Sequence, residues 1–391
     1  MSVGRRNAVV LMMLCSLSAS LGSFIHRPGT FNGRIVQPSL SAWSRQCGPR
    51  ARFEGKELEV TDCCLENKDY ASPRAWLEHK PNGAYTVIRC DFDQQNYLGS
   101  EWKIWGQAFH ENRLQQSYRA FAESTLIAVD CAALVEALND TSSILLELLA
   151  DAGRQLPYLL ESDGSAYVAM VTILWHPAVE DGTKIEARGH IFTSNAVDNS
   201  SMYNPDPINV CIALAPGKSL LLPQRRGSNP LAKLSTWCSD RQPLEDRFKN
   251  ADINEILLAD ADGDVVTILE GLTSNLFAVY PGNVLRTSCR DVLNGYARSL
   301  VLDCAGRVGF QIDFAPICLA ESPLWQEVFT TSAIKLIVPV KSVFVPLYDP
   351  DDNEKVVLKP LWKDDEKGRS GIDGPSWTLL YKEIINDEYL L

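Results

Sequence analysis

The sequence predicts an α+β / α/β chain of two domains. A small N-terminal α/β domain precedes a larger C-terminal domain with an antiparallel β meander and helices. Three observations carry this. Between residues 84 and 192, runs rich in β-branched residues alternate with runs of helical period. From Glu255 onward, apolar strands are punctuated by Asp262-Gly263 and by Pro281-Gly282-Asn283, both strong turn signals. Finally, 391 residues with 46% hydrophobic and 22% charged content can bury two cores of ordinary globular composition.

The first residues do not read as fold. Arg5-Arg6, an apolar run from Ala8 to Leu14 and small residues up to Ser23 give the layout of a signal peptide, 1–23. Residues 24–55 follow as a transit-like presequence. No Asp or Glu precedes Glu54, whereas seven Arg do, among Ser, Pro and Gly. Signal plus transit segment, with Phe24 between them, resembles the bipartite presequence of algae with complex plastids, and implies a plastid destination. The alternative is a plain secretory signal. The triplets at Asn139 and Asn199 would then be glycosylation acceptors.

Residues 56–80 are polar and mixed, and are expected to be linker. In the N-terminal domain, 81–205, Ala84–Cys90 is the first strand and Lys103–Phe109 a candidate second. A helix is expected over His110–Phe121, with Leu114, Tyr118 and Phe121 on one face, and one or two more over Cys131–Leu159. Tyr167–His176 and Thr183–Phe192 read as strands joined at Glu180-Asp181-Gly182. The C-terminal domain, 206–345, opens with Ile208–Ala213, continued by Ser219–Pro223 and a loop over 224–230. A helix over 233–247 is interrupted by Pro243. The meander occupies 255–259, 264–269, 275–280 and 284–287. A helix over Asn294–Ala305 takes Asn294 as its N-cap. Val328–Thr331 and Lys335–Val340 add strands, and the tail 346–391 ends in a short helix near Trp377–Ile385.

Composition excludes some functions. A formal charge of −12 argues against a nucleic-acid partner, which needs a basic face. After the N-terminus no apolar run reaches transmembrane length, so no membrane span is expected in the mature form. The 11 Cys show no CxxC spacing, which reads as reduced thiols and gives no metal motif.

The chemistry centres on Ile268–Tyr280. Glu270 ends an apolar run and precedes Gly271-Leu272-Thr273-Ser274-Asn275, so it is a carboxylate that needs a buried partner. Three other motifs lie at telling distances: Lys233 upstream, His110-Glu-Asn-Arg113-Leu-Gln-Gln-Ser117, and Leu293-Asn-Gly295-Tyr-Ala-Arg298 followed by Phe329-Thr-Thr331-Ser332. Together they resemble the class IV aminotransferases, pyridoxal-phosphate enzymes of fold type IV. That family includes branched-chain and D-amino-acid aminotransferases and aminodeoxychorismate lyase. The resemblance covers about residues 83–345 and is most specific over 231–340.

The resemblance implies pyridoxal 5′-phosphate as cofactor and assigns roles. Lys233 would link to the cofactor aldehyde and carry the α-proton. Glu270 would face the pyridine nitrogen, flanked by Thr273, Ser274 and Asn275. Arg113 would pair with the phosphate, as a planar and permanent cation can. Gly295, Tyr296 and Ala297 would open a helix whose amides receive that phosphate. Thr331 or Ser332 would add a hydroxyl. Tyr85 and Arg89, on the first strand, either line the substrate pocket or serve core and rim.

Three departures stand out: Ala297 and Ala333 occupy places where the family carries Thr, and Cys238 stands near a usual Tyr. The implied activity is transfer of an amino group between an amino acid and a 2-oxo acid, by a homodimer. A lyase of the aminodeoxychorismate type and a catalytically silent relative are the alternatives.

Overall fold

The computed structural model describes residues 56–59, 70, 72–92, 102–155, 166–179, 182–196, 205–214, 229–262, 265–348, 356–364 and 376–390. The presequence 1–55, the expected strand Ser219–Pro223 and most of the 224–230 loop lie outside them.

Two sheets organise the chain. The first is antiparallel, in the order β1 (Lys56–Glu59), β5 (Ile185–Ala196), β4 (Ala166–Pro177), β2 (Ala84–Phe92) and β3 (Trp102–Ile104). Helix α1 (Pro73–Glu78) precedes β2, while α2 (Gln107–Thr125) and α3 (Cys131–Gln155) cover the sheet. Helix α2 buries His110, Arg113, Leu114, Ser117, Tyr118 and Phe121, a stripe at intervals of three and four residues. Leu114, Tyr118, Ile144 and Leu148 meet Ile88, Val171 and Trp175 in one core.

Several expectations are corrected here. Residues 103–109 are not a strand. Pairing with β2 stops at Ile104, Gly106 turns left-handed (φ 59°), and α2 starts at Gln107. A Cβ at Gly106 would meet the Tyr296 ring at 2.2 Å, so that turn also lets α2 approach the second sheet. The segment expected as linker holds both β1 and α1. Ser72 accepts a hydrogen bond from the Ala75 amide at 3.1 Å and so caps α1 ahead of Pro73.

The second sheet has ten strands. It contains β6 (Ile208–Ile212), β7 (Glu255–Asp262), β8 (Val265–Gly271), β9 (Asn275–Tyr280), β10 (Val284–Arg286), β11 (Gln311–Asp313), β12 (Ile317–Cys318), β13 (Glu327–Ser332), β14 (Leu336–Tyr348) and β15 (Val356–Lys363). The path β9-β13-β14-β6-β7-β8 returns to β9 through the single pairing Glu270↔Asn275, so these strands form a ring. The expected meander is its β7–β10 part, and β6 joins it by parallel pairing with β7 and β14. Leu257, Ile268, Leu276, Val328 and Val340 share one core.

Around Pro243 the expected single helix is two, α4 (Trp237–Asp240) and α5 (Gln242–Phe248). Pro243 sits in the first turn of α5, where its missing N–H costs nothing, and starts the helix rather than breaking it. Helix α6 spans Tyr296–Ala305 with Gly295, not Asn294, as N-cap, and α7 spans Ser376–Leu390.

Candidate active site

One cavity of about 420 Å³ gathers the sequence-predicted residues from both sheets. Tyr85, Arg113, Lys233 and Glu270 line it, together with Thr273, Ser274, Asn275, Gly295, Tyr296, Thr331 and Ser332.

Lys233 is positioned through its backbone. Its carbonyl accepts from the Tyr85 amide at 2.9 Å, and its amide donates to Ser117 Oγ at 3.0 Å. Ser235 N donates to Gly83 O at 2.9 Å, extending a short antiparallel contact with the start of β2. The lysine thus hangs on both β2 and α2. Its Nζ lies 4.7 Å from the centroid of the Tyr85 ring.

Glu270 is 1% exposed, and its Oε2 accepts from Asn275 Nδ2 and from the Leu293 amide, each at 3.1 Å. Asn275 Nδ2 also donates to Leu293 O at 2.7 Å, tying the carboxylate to the segment that leads into α6. Thr273 and Ser274 reach the cavity, but their hydroxyls donate to Glu255 Oε2 at 2.6 and 3.0 Å. Their protons are committed to a second carboxylate that the sequence reading missed.

The anion end is built from α2, α6 and β13. Arg113 donates from Nη2 to Thr86 Oγ1 at 2.9 Å and lies 3.1 Å from His110 Nδ1, while Nη1 reaches Asn294 O at 3.4 Å. Burial, with Arg113 and Lys233 nearby, holds the His110 pKa well below its usual value. No side chain caps the first turn of α6. A Cβ at Gly295 would stand 2.1 Å from Asn275 Oδ1, so only glycine lets that turn close on the carboxylate's partner. Thr331 Oγ1 is buried with no hydrogen-bond partner among the described residues. An orphaned hydroxyl beside an arginine and an uncapped helix start suits a phosphate oxygen.

Two predicted residues lie behind the wall. Ala297 is buried in the core between β9, β13 and α7. Arg89 is 4% exposed and does not line the cavity; it pairs with Asp91 at 2.8 Å and donates to Ile334 O. Ile334 does line the cavity, so Arg89 holds the turn between β13 and β14 from behind. Arg298, for which a solvent-facing alternative existed, is buried and donates to Ser288 O at 3.0 Å. Cys238 lines the cavity, and its burial raises the thiol pKa.

Sequence reasoning missed Arg74 and Arg241, which also line the cavity. The Ser72-Pro73 helix start was the available signal for Arg74. Among the described residues, no group of His, Cys, Asp and Glu is arranged for a metal ion, and no helix is long and apolar enough to cross a membrane. Cys90, Cys131, Cys211, Cys238, Cys289, Cys304 and Cys318 are free thiols.

A ringed sheet facing a smaller antiparallel sheet across such a cavity is the architecture of the fold-type IV aminotransferases. Residues 229–343 match the family model for amino-transferase class IV, and this part of the chain belongs to that family. The fold resembles a branched-chain aminotransferase from Thermoproteus uzoniensis solved with norvaline, at 16% identity and TM-score 0.52, over 85% of this chain and 94% of that one. It also resembles a branched-chain amino acid aminotransferase from Thermotoga maritima, at 15% identity and TM-score 0.50, over 86% and 97% of the two chains. At such identities the likeness is one of fold. No curated protein matches by sequence.

Proposed function

We propose that the chain is a pyridoxal-phosphate-dependent aminotransferase that moves an amino group between an amino acid and a 2-oxo acid. The observation that carries this is the placement of Lys233 and the buried Glu270 on one cavity, with Arg113 and the uncapped start of α6 at its anion end. The donor set fits the cofactor. Arg113, Thr331 Oγ1 and the α6 amides would hold the phosphate, and Glu270 would hold the pyridine nitrogen. When bound, pyridoxal phosphate supplies the electron sink that stabilises negative charge at the substrate's α carbon.

The protein's part is positioning and proton transfer. Lys233 Nζ takes the α-proton and returns it, and its backbone contacts with β2 and α2 fix the amine's origin. Glu270 keeps its orientation through Asn275 and Leu293. Tyr85 packs against the lysine stem and restricts its sweep. The two lost hydroxyls, at Ala297 and Ala333, leave Thr331 as the hydroxyl that serves the phosphate.

The purified protein is expected to be yellow, and borohydride should fix the cofactor to the peptide containing Lys233, as read by mass spectrometry. Lys233→Ala should lose both the trapped adduct and transamination; a variant that still turns over amino acids would sink the assignment. Product analysis separates transfer, which yields a 2-oxo acid, from a lyase reaction. A homodimer and a plastid destination complete this reading. Light scattering tests the first, and import of a reporter fused to residues 1–55 tests the second.

A further inference from the structure

The cofactor reading leaves one buried cation of the cavity wall unused. Arg241 links α4 to α5, is 8% exposed, and lines the cavity. Its Nε stands 3.3 Å from Glu245 Oε1 without hydrogen-bond alignment, and its guanidinium donates no hydrogen bond to any described residue. A buried guanidinium with unused donors is costly unless something else accepts them.

Its neighbours show that the charge is in excess. Arg74 Nη1 pairs with Glu245 as well, and Arg74 Nη2 donates to Cys238 O at 2.9 Å and to Gln242. Two guanidinium groups therefore meet one inward carboxylate. Glu78, the other partner of Arg74, is 42% exposed and so is screened by water. Over the whole cavity wall, Arg74, Arg113, Lys233, Arg241 and Lys335 face only Glu255 and Glu270. Phosphate would take up Arg113, while Glu255 already accepts from Thr273 and Ser274. Arg241 stays unanswered on the side of Cys238 away from Lys233 in the chain, and the Cys238 thiol lies within the fields of both.

We propose that Arg241, steadied by Glu245 and backed by Arg74, binds a carboxylate of the substrate. A planar fork with unused donors is the group that recognises a carboxylate through two parallel hydrogen bonds. The inference takes its substrate from the aminotransferase reading, but the ligand chemistry stands on the cavity itself.

The full chain is titrated calorimetrically with glutarate, as wild type, Arg241→Gln and Arg241→Lys. Glutarate affinity should fall tenfold or more in Arg241→Gln and recover in part in Arg241→Lys, which keeps the charge but not the fork. The Gln variant is expected to fold, because Arg74 still answers Glu245. Glutarate that does not bind the wild type, or that binds Arg241→Gln equally well, overturns the proposal. Turnover of glutamate and norvaline then locates the carboxylate. In Arg241→Gln, kcat/KM for glutamate should fall at least thirtyfold. A fall confined to glutamate assigns Arg241 to the side-chain carboxylate, and an equal fall for norvaline assigns it to the α-carboxylate; unchanged glutamate turnover refutes both. If borohydride fixes no cofactor on Lys233, the aminotransferase reading fails, while the glutarate titration still decides Arg241.

Discussion

Glu270 is almost fully buried, yet its neighbours within hydrogen-bond reach are neutral: the Asn275 amide and the Leu293 backbone. Neutral donors orient a carboxylate without cancelling its charge, which suits a group meant to face a cationic ring nitrogen. Glu270→Gln keeps an oxygen acceptor for both donors but removes the charge. The expected result is retained cofactor with a rate lower by about a hundredfold or more, a size typical of losing one preorganised electrostatic partner. Single-turnover absorbance kinetics check it; a rate within threefold of wild type would separate Glu270 from the chemistry. At this scale much of the site was legible, because the requirements of the chemistry name residue types: an amine, a carboxylate, a guanidinium. Which side chains turn elsewhere was not legible. Arg89 shares the strand parity of Tyr85 and Val87, and only the local pairing with Asp91 and Ile334 takes it out of the cavity. Glu255 likewise reads as a strand-start carboxylate until the 273–274 turn folds over it.

Helix α6 shows how an element becomes a binding device through what it lacks. Its first turn has no side-chain cap, and Gly295 lets that turn press on Asn275, the residue that also holds Glu270. The anion end and the carboxylate end of the cavity are therefore coupled across one glycine. Gly295→Ala would place a methyl group 2.1 Å from Asn275 Oδ1, and the clash has to move either the helix start or the asparagine. Overpacking of this kind costs about 1–3 kcal/mol. Thermal unfolding should show the loss, and cofactor titration should show weaker uptake. An unchanged melting temperature together with unchanged uptake would refute the coupling. Elements with strong periods, such as α2 and β9, were legible from sequence. The early start of α2 was not, because the left-handed Gly106 answers to the Tyr296 ring across the cavity rather than to its own neighbours. Strand β15 was hidden for a related reason. Half of its residues are exposed, so its apolar signal is weak, and it exists by pairing with β14.

At the scale of the whole molecule, the ring of strands depends on pairings between distant segments, β14 with β6 and β6 with β7, which local pattern does not reveal. The same long-range packing buries histidines in the smaller sheet, and that has a consequence for acid stability. His190, on β5, stacks on Trp76 of α1 at 5.4 Å and meets the edge of Tyr70, while Lys80 lies over both of those rings. Neither ring nitrogen of His190 has a hydrogen-bond partner among the described residues. Burial first, and the Lys80 charge second, lower its pKa to about 4. In the unfolded chain it titrates near its ordinary value of about 6.5. Above that pH neither state holds the proton, and stability does not depend on His190. Between 6.5 and 4 only the unfolded chain takes the proton up, so stability falls as the pH drops through this window. The shift corresponds to about 3 kcal/mol across it. His190→Phe keeps a ring on Trp76 and leaves no polar atom unmatched. It should reduce the loss of unfolding free energy between pH 7 and pH 4.5 by about 2–3 kcal/mol, as measured by urea titration at the two pH values. Some acid sensitivity should remain, because burial also lowers the His176 pKa, and Glu186 at 3.7 Å opposes that shift only in part. An identical pH profile for wild type and His190→Phe would show that the ring is already protonated in the fold. The stack of α1 on the sheet would then have to be held by something other than a neutral imidazole.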